Sequence, residues 1–228
     1  MRRVAELAAE GEYTIASAKI AEALEDEVVA SDARQLRLID KGIDITLLDG
    51  DSAGAAKPLM RKADVEAGGQ PTFDDLRALQ DTCFVTGRDK GIALDLKVSI
   101  DLAQITLARA TTADERGAAL NDLAISLWTL GAHDSDTKRV EQAVEAFERA
   151  LEERTQGRVP MKWAMTQNNL RGVELAFFDN NGLSIHLDRA QGYADAAQGV
   201  FEAAGASQYL VMLQRLRDAI AARRAAIK

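Results

Sequence analysis

The chain has 228 residues, 47% of them hydrophobic and 28% charged, enough apolar content for a sizeable core and too much for a disordered segment. Its net charge of −8 argues against nucleic acid as a ligand, because such a surface repels phosphate backbones. No apolar run approaches the roughly 18 residues that span a bilayer, Glu6 and Glu10 interrupt what would be the apolar region of a signal peptide, and the lone Cys83 forbids an intrachain disulfide, so the expectation is a cytoplasmic protein.

Alanine and leucine dominate, aromatics are 5% and only three prolines occur, which predicts helix throughout. The first helical pattern is GEYTIASAKIAEAL at 11–24, with Ala16, Ile20 and Ala23 spaced by four and three. A weaker version, GDSAGAAKPLMRKA at 50–63, places Ala56, Met60 and Ala63 in the same way. Thr72 followed by Asp75 predicts a capped helix start. The stretch VTGRDKGIALD at 85–95 reads as either loop or helix. Ala103, Leu107 and Ala110 repeat the small–large–small spacing, and Thr112 with Glu115 predicts a second capped start. Beyond it Leu120, Leu123, Leu127 and Leu130 share one helix face, as do Val140, Ala143, Val144, Phe147, Ala150 and Leu151. Pro160 suits the first turn of the helix carrying WAMTQNNL at 163–170, and Gly11, Gly50, Gly87 and Gly131 read as turns between helices.

A repeat underlies this order. Leu123 and Leu170 lie 47 residues apart, and at that offset Asn121 aligns with Asn168, Ala143 with Ala190 and Ala150 with Ala197. A third copy begins at Tyr209 and ends after one helix. The predicted layout is one all-α domain over 1–228, with helix pairs near 1–27, 30–66, 72–110, 114–155 and 160–204 and a cap at 206–227.

The runs GEYTIASAKIAEAL and TQNNL (166–170) resemble the tetratricopeptide repeat. The last two full pairs are similar to a bacterial subgroup with a lengthened turn inside each repeat, here GAHDSDTKR (131–139) and DNNGLSIH (179–186), which accounts for a period of 47. The resemblance implies a right-handed α-solenoid of about five antiparallel helix pairs plus a C-terminal capping helix. First helices would line a concave groove that binds protein segments, with no catalysis. In one departure Arg171 stands where a small residue usually follows the Leu of NNL, so the helices pack more loosely there or Arg171 points into the groove.

Stacked pairs align equivalent positions in columns. One column holds Asn121, Asn168 and Gln214, whose amides can donate to and accept from a peptide backbone at once. Another holds Trp128, Leu175 and Ala221, an apolar strip for side chains. Asp40, Asp44, Asp74 and Asp81 on earlier first helices would make an acidic entrance that favours a Lys- or Arg-bearing segment. Trp163 and Tyr209 read as packing between pairs, and Cys83 as a buried small hydrophobe. The basic C-terminal helix, with Arg215, Arg217, Arg223, Arg224 and Lys228, reads as a solvated cap.

Nothing in the chain spells a reaction. His133 and His186 fall in turns far from Cys83, and neither a phosphate-binding Gly-rich motif, a GxSxG elbow nor a CxxC pair occurs. The reading is a non-enzymatic scaffold without cofactor or metal, whose partner is a protein or peptide. The alternatives are a regulatory arm of a larger signalling or effector protein, and a self-assembly module.

Overall fold

The computed structural model describes residues 30–40, 42–43, 50–69 and 71–226, which are helical apart from short turns and contain no strand. The first predicted repeat at 1–27, with Gly11, Ala16, Ile20 and Ala23, lies outside the described residues, as do Asp44 and Lys228. Where the sequence reads as one array, the helices gather into two compact units, Met1–Pro71 and Thr72–Lys228.

In the first unit residues 30–40 and 42–43 are helical, and α1 spans Ser52–Glu66. Asp51 caps α1 by accepting from the Gly54 N–H at 2.8 Å. Ala55, Ala56 and Met60 of α1 are buried, as are Ile39 and Ile43, and Lys62 pairs with Asp40 at 2.7 Å.

The second unit is a run of seven helices: α2 (Phe73–Lys90), α3 (Ala93–Arg109), α4 (Ala113–Asp134), α5 (Thr137–Glu153), α6 (Pro160–Asn181), α7 (Ser184–Ala203) and α8 (Ser207–Ala226). The ambiguous stretch at 85–95 is thus mostly helix, broken only by Gly91 in the left-handed conformation and by Ile92. Thr72–Asp75 and Thr112–Glu115 form complete capping boxes, each hydroxyl accepting from the third backbone N–H while the carboxylate accepts from the cap. Pro160 opens α6, where its missing N–H costs nothing.

Consecutive helices pack as antiparallel pairs. In the α4–α5 pair Arg116, near the start of α4, donates to both carboxylate oxygens of Glu153, the last residue of α5, at 2.8 and 3.0 Å. At the opposite end Gly131 lies against Val140, and a methyl at Gly131 would stand 2.8 Å from Val140 Cγ2. Gly87 meets Leu96 in the same way between α2 and α3. These two glycines are therefore inside their helices, one turn before the end, and mark close approach instead of a turn. The turns themselves are short, Ser135–Asp136 and Gly182–Leu183, so the predicted long turns at 131–139 and 179–186 are not present. The long period comes from first helices of 22 residues each.

The core falls into two buried clusters that both draw on α6. Phe84, Leu96, Leu123, Leu127, Phe147, Leu170 and Val173 form one buried cluster across α2 to α6. Phe178, Leu187, Phe201, Leu213 and Ile220 form a second across α6 to α8, where Phe201 and Tyr209 stack at 4.6 Å. Trp163 packs half-buried against this second cluster. The arginines of α8 are not merely solvated: Arg217 pairs with Asp195, Arg223 with Asp179 and Arg224 with Asp188, tying α8 to α6 and α7.

Candidate interaction surface on the first helices

Successive first helices are joined by polar bonds. From α2 to α4, Arg77 Nε donates to Asp122 Oδ2 at 2.7 Å and Gln80 Nε2 donates to Ser126 Oγ at 3.1 Å. From α6 to α4, Thr166 and Asn169 both donate to Asn121 Oδ1, at 3.3 and 3.2 Å. From α8 to α6, Arg223 grips both oxygens of Asp179. The spacing of these partners, close to the repeat period, is what brings them opposite one another.

A hollow of about 380 Å³ opens between α2 and α4. Phe84 and Ile125 supply its apolar lining, Gln80 and the Arg77–Asp122 pair its polar wall, and Asp74 and Asp81 its rim. A neighbouring hollow of about 430 Å³ shares Asp74 and Arg77 and extends past Thr112 and Asp114 to Lys162 of α6. Most charges here are already matched. Asp122 hydrogen-bonds Arg77 and strengthens its hold on its proton. Lys162, 2.5 Å from Asp114, holds that carboxyl below the usual carboxylate range. Glu115 is held low by the backbone and hydroxyl groups it caps. Asp74 and Asp81 remain: both are exposed and make no hydrogen bond or ion pair among the described residues. Seven residues apart on α2, they lie two turns along one face, about 10.5 Å. Their charges act on Arg77 without contacting it, so the hollow offers two exposed carboxylates over an apolar lining.

The residues expected in the groove fall differently. Asn121 is buried, and its carbonyl oxygen is occupied by α6. Asn168 is half-buried, and its Oδ1 has no partner. Gln214 is exposed on α8 and donates to its neighbour Asp218 at 3.1 Å. The three amides therefore do not form one ladder. Trp128 lies against Gly172 of α6, where a methyl would stand 2.7 Å from the indole, so the small residue after Arg171 makes room for the ring. Leu175 packs on the second core cluster while Ala221 is exposed, so these three do not form one strip. Arg171 is half-buried, its Nε donates to the Asn168 carbonyl at 3.2 Å, and burial lowers its guanidinium pKa. Of the acidic entrance, Asp74 and Asp81 line the hollow and Asp40 belongs to the first unit. Sequence reasoning missed Arg77, Gln80, Asp122 and Ile125. The available signal was the opposite charge of Arg77 and Asp122, 45 residues apart.

Cys83 is half-buried, and burial, with the charge of Asp95, pushes its thiol up to about 11, which suits a packing residue better than a nucleophile. Among the described residues no cluster of three or more His, Cys, Asp or Glu side chains could hold a metal ion, and no helix is long and apolar enough to cross a membrane.

No protein-family model and no curated protein matches the chain. Among solved structures it is similar to BtubC (BKLC) from P. vanneervenii, at 15% identity over 89% of this chain and 91% of that one, with a TM-score of 0.38. A likeness that weak carries no argument about fold or function.

Proposed function

We propose that the chain is a protein-interaction scaffold, a right-handed α-solenoid of tetratricopeptide type, and that it holds a Lys- or Arg-bearing segment of a partner protein across its first helices. The observation that carries this reading is the hollow between α2 and α4, where the exposed Asp74 and Asp81 make no hydrogen bond or close ion pair and share a lining with Phe84 and Ile125. A cationic side chain fits such a place: its stem covers apolar surface while its head reaches carboxylates. The bonds between first helices support a surface formed before the ligand arrives, which lowers the ordering cost of binding.

The test is binding of fluorescent peptides, one Lys/Arg-rich and one with the same composition but Glu and Asp in place of the cations. The basic peptide should bind, and more weakly as salt rises. Replacing Asp74→Asn and Asp81→Asn together should weaken it about tenfold, since two partly exposed charge contacts are worth roughly 0.5–1 kcal/mol each. Equal binding of the two peptides, or an affinity indifferent to the double replacement, sinks the assignment.

A further inference from the structure

At the far end of the α6–α7 pair lies a polar cluster with no part in the hollow. Glu174 of α6 is 2% exposed, and its Oε2 is 2.6 Å from Nδ1 of His186 on α7. The other ring nitrogen, Nε2, is 3.1 Å from Asn181 Nδ2, and Asn181 Oδ1 accepts the Leu183 N–H at 2.9 Å. These contacts fix the protons. Because Oδ1 is the end of the amide that takes the Leu183 N–H, Nδ2 is a donor where it meets the ring. His186 Nε2 therefore accepts, and the ring proton is on Nδ1, donated to Glu174. His186 is held at both nitrogens and stacked on Phe177 at 5.2 Å.

We propose that Glu174, His186 and Asn181 form an acid-opened latch on the α6–α7 turn. Acid adds a proton from solvent at Nε2, which then becomes a donor facing the Asn181 donor. If the amide turns over to offer its oxygen to the ring, Nδ2 faces the Leu183 N–H instead. Without that turn-over only the ring contact is lost and Leu183 keeps Oδ1; with it the exposed Leu183 N–H is handed to solvent, and the turn through Gly182 and Leu183 loses that bond. The ring itself stays in place, because the imidazolium gains from Glu174 and from the face of Phe177. The charges around it are few. Arg189 of α7 is 3.7 Å from Glu174 Oε1, and Tyr193 of α7 has its hydroxyl pKa raised by burial first and then by Glu174 and Glu148 of α5. Asp179 and Asp188, on the same two helices, are already paired with Arg223 and Arg224 of α8. None of these supplies the acceptor that the protonated ring would need in place of Asn181.

The test uses the full ¹⁵N-labelled chain with His133→Gln, so that His186 gives the only imidazole signal, followed from pH 8 to pH 5. At pH 8 the ring should carry its proton on Nδ1. As the ring charges, the Leu183 amide and the Asn181 side-chain amide should shift with the same midpoint. Exchange protection of the Leu183 amide, corrected for the intrinsic pH dependence of exchange, should fall roughly threefold to tenfold, the worth of one hydrogen bond. In Asn181→Asp the two carboxylate oxygens can accept from the imidazolium and from Leu183 together, so Leu183 should keep its protection in acid. A proton on Nε2 at pH 8, a Leu183 resonance that ignores the His186 titration, or loss of protection in Asn181→Asp as in the native sequence would each overturn the latch. The measurements on Asn181 itself decide the matter even if that replacement fails to fold.

Discussion

The α4–α5 and α6–α7 pairs are copies of one plan with different solutions at the same positions. Their first helices begin at Ala113 and Pro160 and end at Asp134 and Asn181, and their second helices begin at Thr137 and Ser184, always 47 residues apart. Yet Asn121 and Asn168, identical and equivalent, have unlike fates. Asn121 accepts from Thr166 and Asn169 of the next first helix. The residues 46 positions beyond those donors, on α8, are Met212 and Arg215. Methionine has no proton to give and Arg215 is exposed, so Asn168 Oδ1 is left buried without a partner. The lesson is that a repeated residue inherits its position from its own helix but its chemistry from the neighbour.

The aromatic anchor also moves. Phe147 fills the middle of α5, whereas α7 has Ala194 there and places Phe201 two turns later, against Tyr209. Phe147→Ala should cost about 3–5 kcal/mol in chemical denaturation, because both phenylalanines are fully buried and their loss leaves a cavity. Phe201→Ala should cost a similar amount and, unlike Phe147→Ala, should also loosen α8, read as faster amide exchange in 207–226. If both replacements exposed α8 alike, the two pairs would have to share one anchor.

A smaller effect is expected where the pairs close. Gly131 of α4 corresponds to Phe178 of α6. Gly131→Ala should cost about 1–3 kcal/mol, since its methyl would press on the Val140 side chain at 2.8 Å and on the Val140 and Asp136 backbone beyond it. A thermal scan with no loss of stability would mean that α5 slides easily, contrary to the tight α4–α5 approach. The smallest effect should be a gain. Ser135 ends α4 in the left-handed conformation at φ 56°, where α6 uses Gly182 at φ 70°. Ser135→Gly should stabilise by about 0.5–1 kcal/mol, because glycine occupies that region without the steric penalty of a β-carbon. The same scan reporting destabilisation would show that the serine is held there by a contact worth more than its strain.

Helix positions and caps were the legible part of the sequence, because they depend on local chemistry: Thr72–Asp75, Thr112–Glu115 and Pro160 each act on their own first turn. Gly87 and Gly131 were misread as turns, since a glycine one turn before a helix end looks the same whether it ends the helix or admits a neighbour. The wall of the hollow is offset by one residue from the column read in the sequence. A step from Asn121 to Asp122 is 100° around a helix, enough to exchange a residue between helices for one that walls the hollow. The ion pairs of α8 escaped because an arginine's partner depends on which acid the fold brings opposite, not on its neighbours in sequence.

The polar bonds between first helices also number the modules. Arg77 finds Asp122 and Gln80 finds Ser126, but the matching places on α6 are Asn169 and Val173. Excising α4 and α5 would bring α2 against a helix with neither the carboxylate nor the hydroxyl it needs. The modules are therefore parts that do not interchange, and lengthening or shortening such a chain by whole modules would meet a mismatched seam at the first junction.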